Sequence, residues 1–261
     1  MHDVRNLIDV STWCDEWPFL KLRWTRPEEL EPKLKTLGIG RAFIGSIRTV
    51  FEQNPYRANC DLLENVHGEF FSPVIVVDPS YATWRRSFEL AARDSRVRMI
   101  KLLPNYHGYD LRPEVLQPIV AAASTCRFAI GIQIRLEDQR GAYPRLTVPD
   151  LEVDRVVWAI SAFPDQPFIL HNLFIRELPA ALHIGDNVYA DLASVELHNT
   201  LCAVDRRVGL DRILFATHAP FYYPGANVCK LRYADLASRK VHQVGYANAD
   251  ALLSRQRPRR S

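Results

Sequence analysis

The stretch Phe128-Ala129-Ile130-Gly131-Ile132-Gln133-Ile134 decides the fold. Its three isoleucines lie on one side of an extended strand and its small residues and glutamine on the other, because side chains alternate along a strand. In a closed barrel of parallel strands, bulky residues pack outward against helices, whereas small residues fit the crowded interior. The stretch therefore predicts a barrel strand that carries a polar group, Gln133, at its interior end.

Strand-like and helix-like segments alternate along the chain, which favours a parallel sheet with crossover helices. The predicted strands span residues 6–11, 41–46, 70–77, 97–102, 128–134, 168–171, 187–192 and 212–217. The predicted helices span residues 27–37, 54–67, 81–93, 112–125, 149–163, 175–183, 195–208 and 229–240, and the pattern of 54–67 is the weakest.

Eight such units in 261 residues predict a single (β/α)8 TIM-type barrel. A doubly wound open sheet is the alternative, although the sequence lacks the Gly-rich first turn that dinucleotide binding requires. We expect one domain over residues 1–254 and a basic tail without ordered structure over residues 255–261.

Composition narrows the class of protein. The formal net charge is +3, but removing four arginines in the last seven residues from the 33 basic residues leaves 29 against 30 acidic ones. A near-neutral body argues against a nucleic-acid partner. No apolar run approaches the roughly 20 residues that span a bilayer, and the first residues lack the order of a secretory signal. The five cysteines form no C-x-x-C pair, which argues against a disulfide framework or a zinc knuckle.

These features predict a cytoplasmic protein with a small-molecule ligand and without a membrane partner, and they leave a homo-oligomer open. Polar residues stand near the interior ends of six predicted strands, which converge on one mouth in a barrel. The predicted set consists of Asp9, Ser11, Lys101, Gln133, Arg135, His171, Asp191 and His218, with His107 in the loop after the fourth strand.

Two histidines and a lysine are the predicted catalytic residues. His218 is the predicted general base and His171 the orienting residue or acid, since an ordinary histidine pKa of about 6.5 suits proton transfer at neutral pH. Hydrogen-bonded interior histidines without a catalytic role are the alternative. Lys101 is predicted to hold negative charge, although a salt bridge to Asp9 or Asp191 explains a lysine within an apolar run equally well.

The remaining members of the set are predicted to contact substrate: Gln133, Arg135, Asp191, Asp9, Ser11 and His107. Arg135 suits a carboxylate or phosphate, because its guanidinium donates to two oxygens at once, but it equally suits an exposed position on the barrel rim. A structural role for Asp9 and an exposed position for His107 are also open.

Several segments, in this order, resemble the amidohydrolase-related branch of the amidohydrolase superfamily, which contains metal-dependent hydrolases and decarboxylases. They are Leu7-Ile8-Asp9-Val10, Met99-Ile100-Lys101-Leu102, Phe168-Ile169-Leu170-His171, Asn187-Val188-Tyr189-Ala190-Asp191, Arg212-Ile213-Leu214-Phe215-Ala216-Thr217-His218-Ala219-Pro220 and Tyr246-Ala247-Asn248-Ala249-Asp250. The resemblance implies a barrel that holds a divalent metal, usually zinc. Its ligands are an H-x-H pair ending strand one, histidines ending strands five and six, and an aspartate ending strand eight.

This sequence departs from that ligand set. Ser11 and Trp13 stand at the strand-one positions, Gln133 at the strand-five position and His218 at the position of the aspartate, and only His171 is retained. A catalytic zinc normally takes three protein ligands. We therefore do not expect the usual zinc site, whereas a rebuilt site for zinc or manganese, formed by His171, His218 and a carboxylate, stays open.

The leading hypothesis is an amidohydrolase-like hydrolase or lyase that acts on a small polar, anionic metabolite and has a degenerate or rebuilt metal site. The alternative is a non-catalytic barrel that binds a small molecule or a protein partner, because loss of the metal most simply ends a metal-driven reaction. A third hypothesis is Schiff-base chemistry at Lys101, which requires a desolvated lysine of lowered pKa.

Overall fold

Eight parallel strands form one sheet in which each strand pairs with the next along the chain. The computed structural model describes residues 1–138 and 148–254. The strands are β1 (Leu7–Cys14), β2 (Ile39–Ser46), β3 (Phe71–Val76), β4 (Met99–Leu102), β5 (Ala129–Gln133), β6 (Phe168–His171), β7 (Val188–Asp191) and β8 (Ile213–Leu214). Backbone hydrogen bonds from Val10 N to Phe215 O (3.0 Å) and from His218 N to Ser11 O (2.9 Å) join β1 to the chain that continues β8. The predicted (β/α)8 barrel is therefore confirmed.

Helices follow the strands along the chain. They are α1 (Pro27–Thr36), α2 (Tyr56–Asn65), α3 (Trp84–Arg93), α4 (Pro104–His107), α5 (Pro113–Cys126), α6 (Val153–Ile160), α7 (Leu178–Leu182), α8 (Thr200–Val208), α9 (Pro224–Arg232), α10 (Ser238–His242) and α11 (Asn248–Ser254). A 3-10 turn (Ile47–Val50) and a π-helical turn (Gln243–Ala247) complete the elements. Prolines begin α1, α5 and α9, where the absent N–H would have no helical partner.

One predicted helix differs in the structure, and one predicted segment is not described by it. The predicted helix 229–240 is two helices, α9 and α10, because Pro224 begins the first one earlier and the chain turns between them. The predicted tail 255–261 lies outside the described residues, so the domain boundary at residue 254 stays a prediction. None of the described helices is long and apolar enough to cross a membrane.

The barrel wall separates two apolar layers. Ile130, Ile132 and Ile134 pack in the outer layer with helix residues such as Leu116, whereas Ala129 packs inside, as the alternation in β5 predicts. The interior cluster consists of Ile8, Val10, Phe43, Val74, Met99, Ala129, Ile169, Ala193, Leu214 and Ala216, with α11 residues at one end. The polar side chains of the barrel lie above this cluster, toward the carboxyl ends of the strands.

Candidate functional site

Lys101 carries its ammonium group at the centre of the barrel. Its Nζ donates hydrogen bonds to Ser11 Oγ at 3.2 Å and to Gln133 Oε1 at 3.3 Å, and it lies 4.4 Å from the centre of the Trp13 ring. Burial lowers the pKa of Lys101 to about 7, although the nearby carboxylate of Asp191 favours the charged form. The ammonium is thus held by neutral oxygens and an aromatic face, out of contact with solvent.

His171 and Asp191 form a buried pair at the ends of β6 and β7. His171 Nδ1 lies 2.8 Å from Asp191 Oδ2, so the histidine donates to an ionised carboxylate. Burial favours the neutral acid, but this hydrogen bond holds the pKa of Asp191 below its usual value. Burial, together with the positive charge of Lys101, lowers the pKa of His171 to about 4. At neutral pH the imidazole is therefore neutral, with its proton on Nδ1.

The other ring nitrogen of His171 has no hydrogen-bond partner among the described residues. It lies against Gly131, where an added Cβ would be 2.8 Å from Nε2. The pairing of Gln133 with His171 across β5 and β6 sets this close approach. Glycine is therefore required at this position to leave room for the imidazole.

His218 has both ring nitrogens engaged. Nε2 donates to the Leu136 carbonyl at 2.5 Å, and Nδ1 accepts from Trp13 Nε1 at 3.3 Å. These two bonds define a neutral tautomer, and burial lowers the pKa of His218 to about 3. The residue predicted as general base is thus connected to Trp13 and Leu136 rather than turned toward a substrate space.

Asp9 connects β1 to the chain that follows β8. Its carboxylate accepts from Thr217 Oγ1 at 2.5 Å, from Thr217 N at 3.0 Å and from Ser11 N at 3.2 Å. Burial raises the pKa of Asp9 to about 7, against these hydrogen bonds. A register shift between Asp9 and Thr12 interrupts the alternation that the sequence argument used, and Ile8 and Val10 pack in the interior cluster instead.

Arg135 and His107 are not part of the central group. The Arg135 guanidinium donates to Asp150 at 2.8 Å and to Glu177 at 2.8 Å, so it stabilises loops at the barrel mouth. His107 Nε2 donates to the Thr49 carbonyl at 2.9 Å, and its side chain is buried rather than exposed.

The structure brings together six of the nine predicted residues within hydrogen-bonding networks around Lys101 and His171. They are Ser11, Lys101, Gln133, His171, Asp191 and, through Trp13, His218.

An apolar layer covers this central group. It comprises Trp13, Trp17, Ile47, Val50, Val76, Leu103 and Leu136, with Leu22, Tyr106 and Phe221 packed against it, and is called the mouth cluster below. Trp13 is 0% exposed and Lys101 1% exposed. A ligand reaches the central group only when the mouth cluster moves.

The central group does not fit a divalent metal. Over residues 1–138 and 148–254, no three His, Cys, Asp or Glu side chains come together as a metal site. Ser11 and Gln133 already accept from the Lys101 ammonium, whose positive charge would repel a cation, and the lone pair of His218 Nδ1 faces Trp13. The rebuilt site of His171, His218 and a carboxylate is therefore absent from the described part of the chain.

A separate cavity of about 770 Å³ opens beside the mouth cluster, between the loops that follow β1, β5, β7 and β8. This space is called the rim cavity below. Its walls include aromatic rings and the polar residues Glu137, Asn227 and Lys230. Asn227 Nδ2 donates to the Thr217 carbonyl at 3.0 Å, and its buried Oδ1 has no partner in the described residues. Lys230 Nζ donates to two carbonyls of the loop after β7.

The sequence analysis placed Trp13 at a strand-one position beside Ser11, but it missed Asn227 and Lys230 as site residues. Asn227 and Lys230 had no usable signal, because both lie on α9 and only its packing over β7 and β8 brings them to the rim cavity.

This arrangement defines an α/β barrel whose polar centre is closed and whose rim holds an open cavity of about 770 Å³. Comparison with solved structures gives 5-carboxyvanillate decarboxylase from Sphingomonas paucimobilis, with a TM-score of 0.71 and 14% identity over 97% of this chain and 99% of that one. It also gives 2,6-dihydroxybenzoate decarboxylase from Rhizobium, with a TM-score of 0.68 and 14% identity over 96% and 99%.

A third similar structure is dihydroxybenzoic acid decarboxylase from Polaromonas sp. JS666, with a TM-score of 0.70 and 14% identity over 97% of this chain and 98% of that one. That structure contains manganese and the inhibitor 2-nitroresorcinol. No protein-family model and no curated protein sequence matches this chain. At 14% identity these likenesses show that the chain shares the barrel fold of those structures.

Proposed function

We propose that the protein is a small-molecule-binding barrel that works without a metal and holds its ligand in the rim cavity. One contrast carries the proposal: the central polar residues are sealed beneath the mouth cluster, whereas the rim cavity is open and measures about 770 Å³. Ligand sites commonly occupy about 300–1,000 Å³ and combine apolar walls with a few polar groups. This is the non-catalytic alternative of the sequence analysis.

The predicted cations support this assignment, because neither is turned toward a ligand. Lys101 donates to Ser11 and Gln133 beneath the mouth cluster, and Arg135 donates to Asp150 and Glu177. The hydrogen bonds of these two residues therefore do not support the prediction that they hold an anionic substrate. Partners other than a small molecule have no comparable support.

A substitution that fills the rim cavity tests the proposal. Ala226 is exposed and lines the cavity, so Ala226→Trp places a large ring inside it. We expect fragments that bind the natural chain in ligand-detected NMR to lose at least about tenfold in affinity, as expected when a well-filled pocket is blocked. Ala121→Trp on the outer face of α5 is the matched control and should bind normally. Equal binding by both variants would contradict the proposal.

A metal measurement tests the other half of the proposal. Protein purified without chelators or a metal-binding tag should contain far less than one zinc or manganese per chain, because the donor set is incomplete. A stoichiometric, tightly bound metal would overturn the metal-independent assignment.

A second candidate function is a lyase or hydrolase reaction at the barrel centre on a small polar, anionic metabolite. The His171–Asp191 pair favours it, since a histidine with one nitrogen on a carboxylate and the other bare is the usual form of a proton acceptor. The similar structures include decarboxylases of 5-carboxyvanillate and 2,6-dihydroxybenzoate. Conversion of either compound by the natural chain, abolished by His171→Gln, would establish this candidate. If neither compound is converted, the binding function remains the better supported of the two.

A further inference from the structure

We propose that the rim cavity selects aromatic carbonyl compounds, whose ring packs against its aromatic walls and whose carbonyl oxygen accepts a hydrogen bond from the Tyr222 hydroxyl. This inference rests on the proposed function and names the class of ligand. A chain of hydrogen bonds that begins at Lys101 and ends at Tyr222 determines which group donates. The ligand differs from the anionic one predicted from the sequence, because the selecting group is a neutral donor.

The side-chain amide of Gln133 has one possible orientation. Its Nε2 donates to the Arg135 carbonyl at 2.6 Å, and a carbonyl can only accept. Its Oε1 is then on the side of Lys101 and accepts from Nζ at 3.3 Å. Exchanging the oxygen and the nitrogen of this amide would set two oxygens against each other at the Arg135 carbonyl.

The orientations of Asn172 and Ser194 follow from that of Gln133. Gln133 Nε2 also donates to Asn172 Oδ1 at 2.9 Å, so the nitrogen of the Asn172 amide lies on the other side. Asn172 Nδ2 donates to Ser194 Oγ at 3.1 Å. Ser194 Oγ is therefore an acceptor in this bond, and its own proton is left for its second partner, the Tyr222 hydroxyl at 3.1 Å.

The reverse direction between Ser194 and Tyr222 would leave a buried proton without an acceptor. Ser194 is 5% exposed, and over residues 1–138 and 148–254 its hydroxyl has no further hydrogen-bond partner. Tyr222, by contrast, is partly exposed and lines the rim cavity. Burial raises the pKa of Tyr222, whereas hydrogen bonds from Ser194 and Asn172 lower it, as donors to a phenol oxygen do. The Tyr222 proton is therefore the one left for a ligand, because buried polar groups are paired wherever they can be.

The walls of the rim cavity suit an aromatic ring beside this donor. Trp17 and Phe221 line the cavity, and their rings lie 5.1 Å apart in an edge-to-face arrangement, which holds the two side chains in place. Asp138 and Arg135 bring charges of opposite sign to the Tyr222 hydroxyl, so charge alone does not favour an anion there. A neutral carbonyl oxygen on an aromatic ring matches both the walls and the donor.

Acetophenone and α-methylstyrene separate the hydrogen bond from the shape of the ligand, since they differ only in a carbonyl oxygen against a CH2 group. Each is titrated into the full chain at pH 7, with dissociation constants from ligand-detected NMR. Tyr222→Phe removes the donor and keeps the ring. We expect this variant to bind acetophenone about 3- to 10-fold more weakly than the natural chain, the range of one hydrogen bond, and α-methylstyrene within about twofold. Retained binding of α-methylstyrene also shows that the variant is folded.

Tyr233→Phe is the matched control, because Tyr233 is an exposed tyrosine at the same cavity and lies outside the chain of hydrogen bonds. It should leave the affinities for both probes within about twofold of the natural chain. An undiminished affinity of Tyr222→Phe for acetophenone, an equal loss for both probes, or no detectable binding of acetophenone to the natural chain would each overturn the inference.

Ala226→Trp distinguishes an error in the ligand class from an error in the site. If it abolishes binding of both probes while Tyr222→Phe binds acetophenone normally, the rim cavity remains the ligand site and only the ligand class is wrong. If Ala226→Trp leaves the binding of both probes unchanged, the site and the ligand class are both wrong.

Discussion

Replacing the buried lysine, Lys101→Met, should change how the stability of the barrel depends on pH. Burial lowers the pKa of Lys101 from 10.5 to about 7. Between these values the unfolded chain binds a proton that the folded barrel does not, so folding is penalised at the lower pH and the penalty disappears as pH rises. The free energy of unfolding should therefore increase by up to about 1.4 kcal/mol per pH unit, or up to about 4 kcal/mol between pH 7 and 10.

Methionine has nearly the same length and no proton to exchange, so the variant should lack this slope. Urea unfolding followed by tryptophan fluorescence, repeated from pH 6.5 to 9.5, measures both free energies. The difference between the two proteins is the informative quantity, because the slope from Lys230, whose pKa burial lowers to about 8, is common to both and cancels. Lys21→Met, at an exposed position, is the control. If the curves for the natural chain and Lys101→Met stay parallel within about 1 kcal/mol, the ammonium is not buried as described.

Two further changes test the geometry of the centre. Gly131→Ala introduces a Cβ 2.8 Å from His171 Nε2, and this overpacking should lower the free energy of unfolding by about 1–3 kcal/mol; an unchanged urea midpoint would contradict the close approach. Burial lowers the pKa of His171 to about 4 and that of His218 to about 3. Below pH 6.5 the two histidines therefore bind protons in the unfolded chain but not in the folded barrel. Each histidine should lower the free energy of unfolding by about 1.4 kcal/mol per unit as pH drops from 6.5 to 4, whereas Asp9, whose pKa burial raises to about 7, offsets one of these two contributions. His171→Gln should show a shallower fall, and identical acid profiles would contradict this origin.

The barrel itself was predictable because the evidence for it repeats eight times. Each strand carries a local pattern, and the alternation in β5 correctly separated outward isoleucines from the interior side. Errors in single elements, such as the break between α9 and α10, did not change the number of units. The regular pairing of β8 covers only Ile213–Leu214, yet the extended chain after it still bonds to β1.

The chemical state of the site was less predictable, because a type of residue does not specify its partners. His218 lies beyond β8 at the mouth of the barrel, and only the packed loop after β5 brings the Leu136 carbonyl to its Nε2. Arg135 was likewise predicted to bind a ligand, but in the structure its guanidinium pairs with Asp150 and Glu177. The alternation argument does not hold around Asp9, since a one-residue register shift in β1 cannot be read from the sequence pattern.

The contact between Trp13 and the central group makes the barrel resistant to stepwise conversion into a metalloprotein. A histidine at position 13 alone would leave a void beneath the loops and deprive His218 Nδ1 of its donor. A histidine at position 133 alone would remove an acceptor from Lys101, whose charge would still exclude an incoming ion. Each single replacement is thus harmful before a coordination sphere exists, and a protein engineer would have to introduce all of them at once.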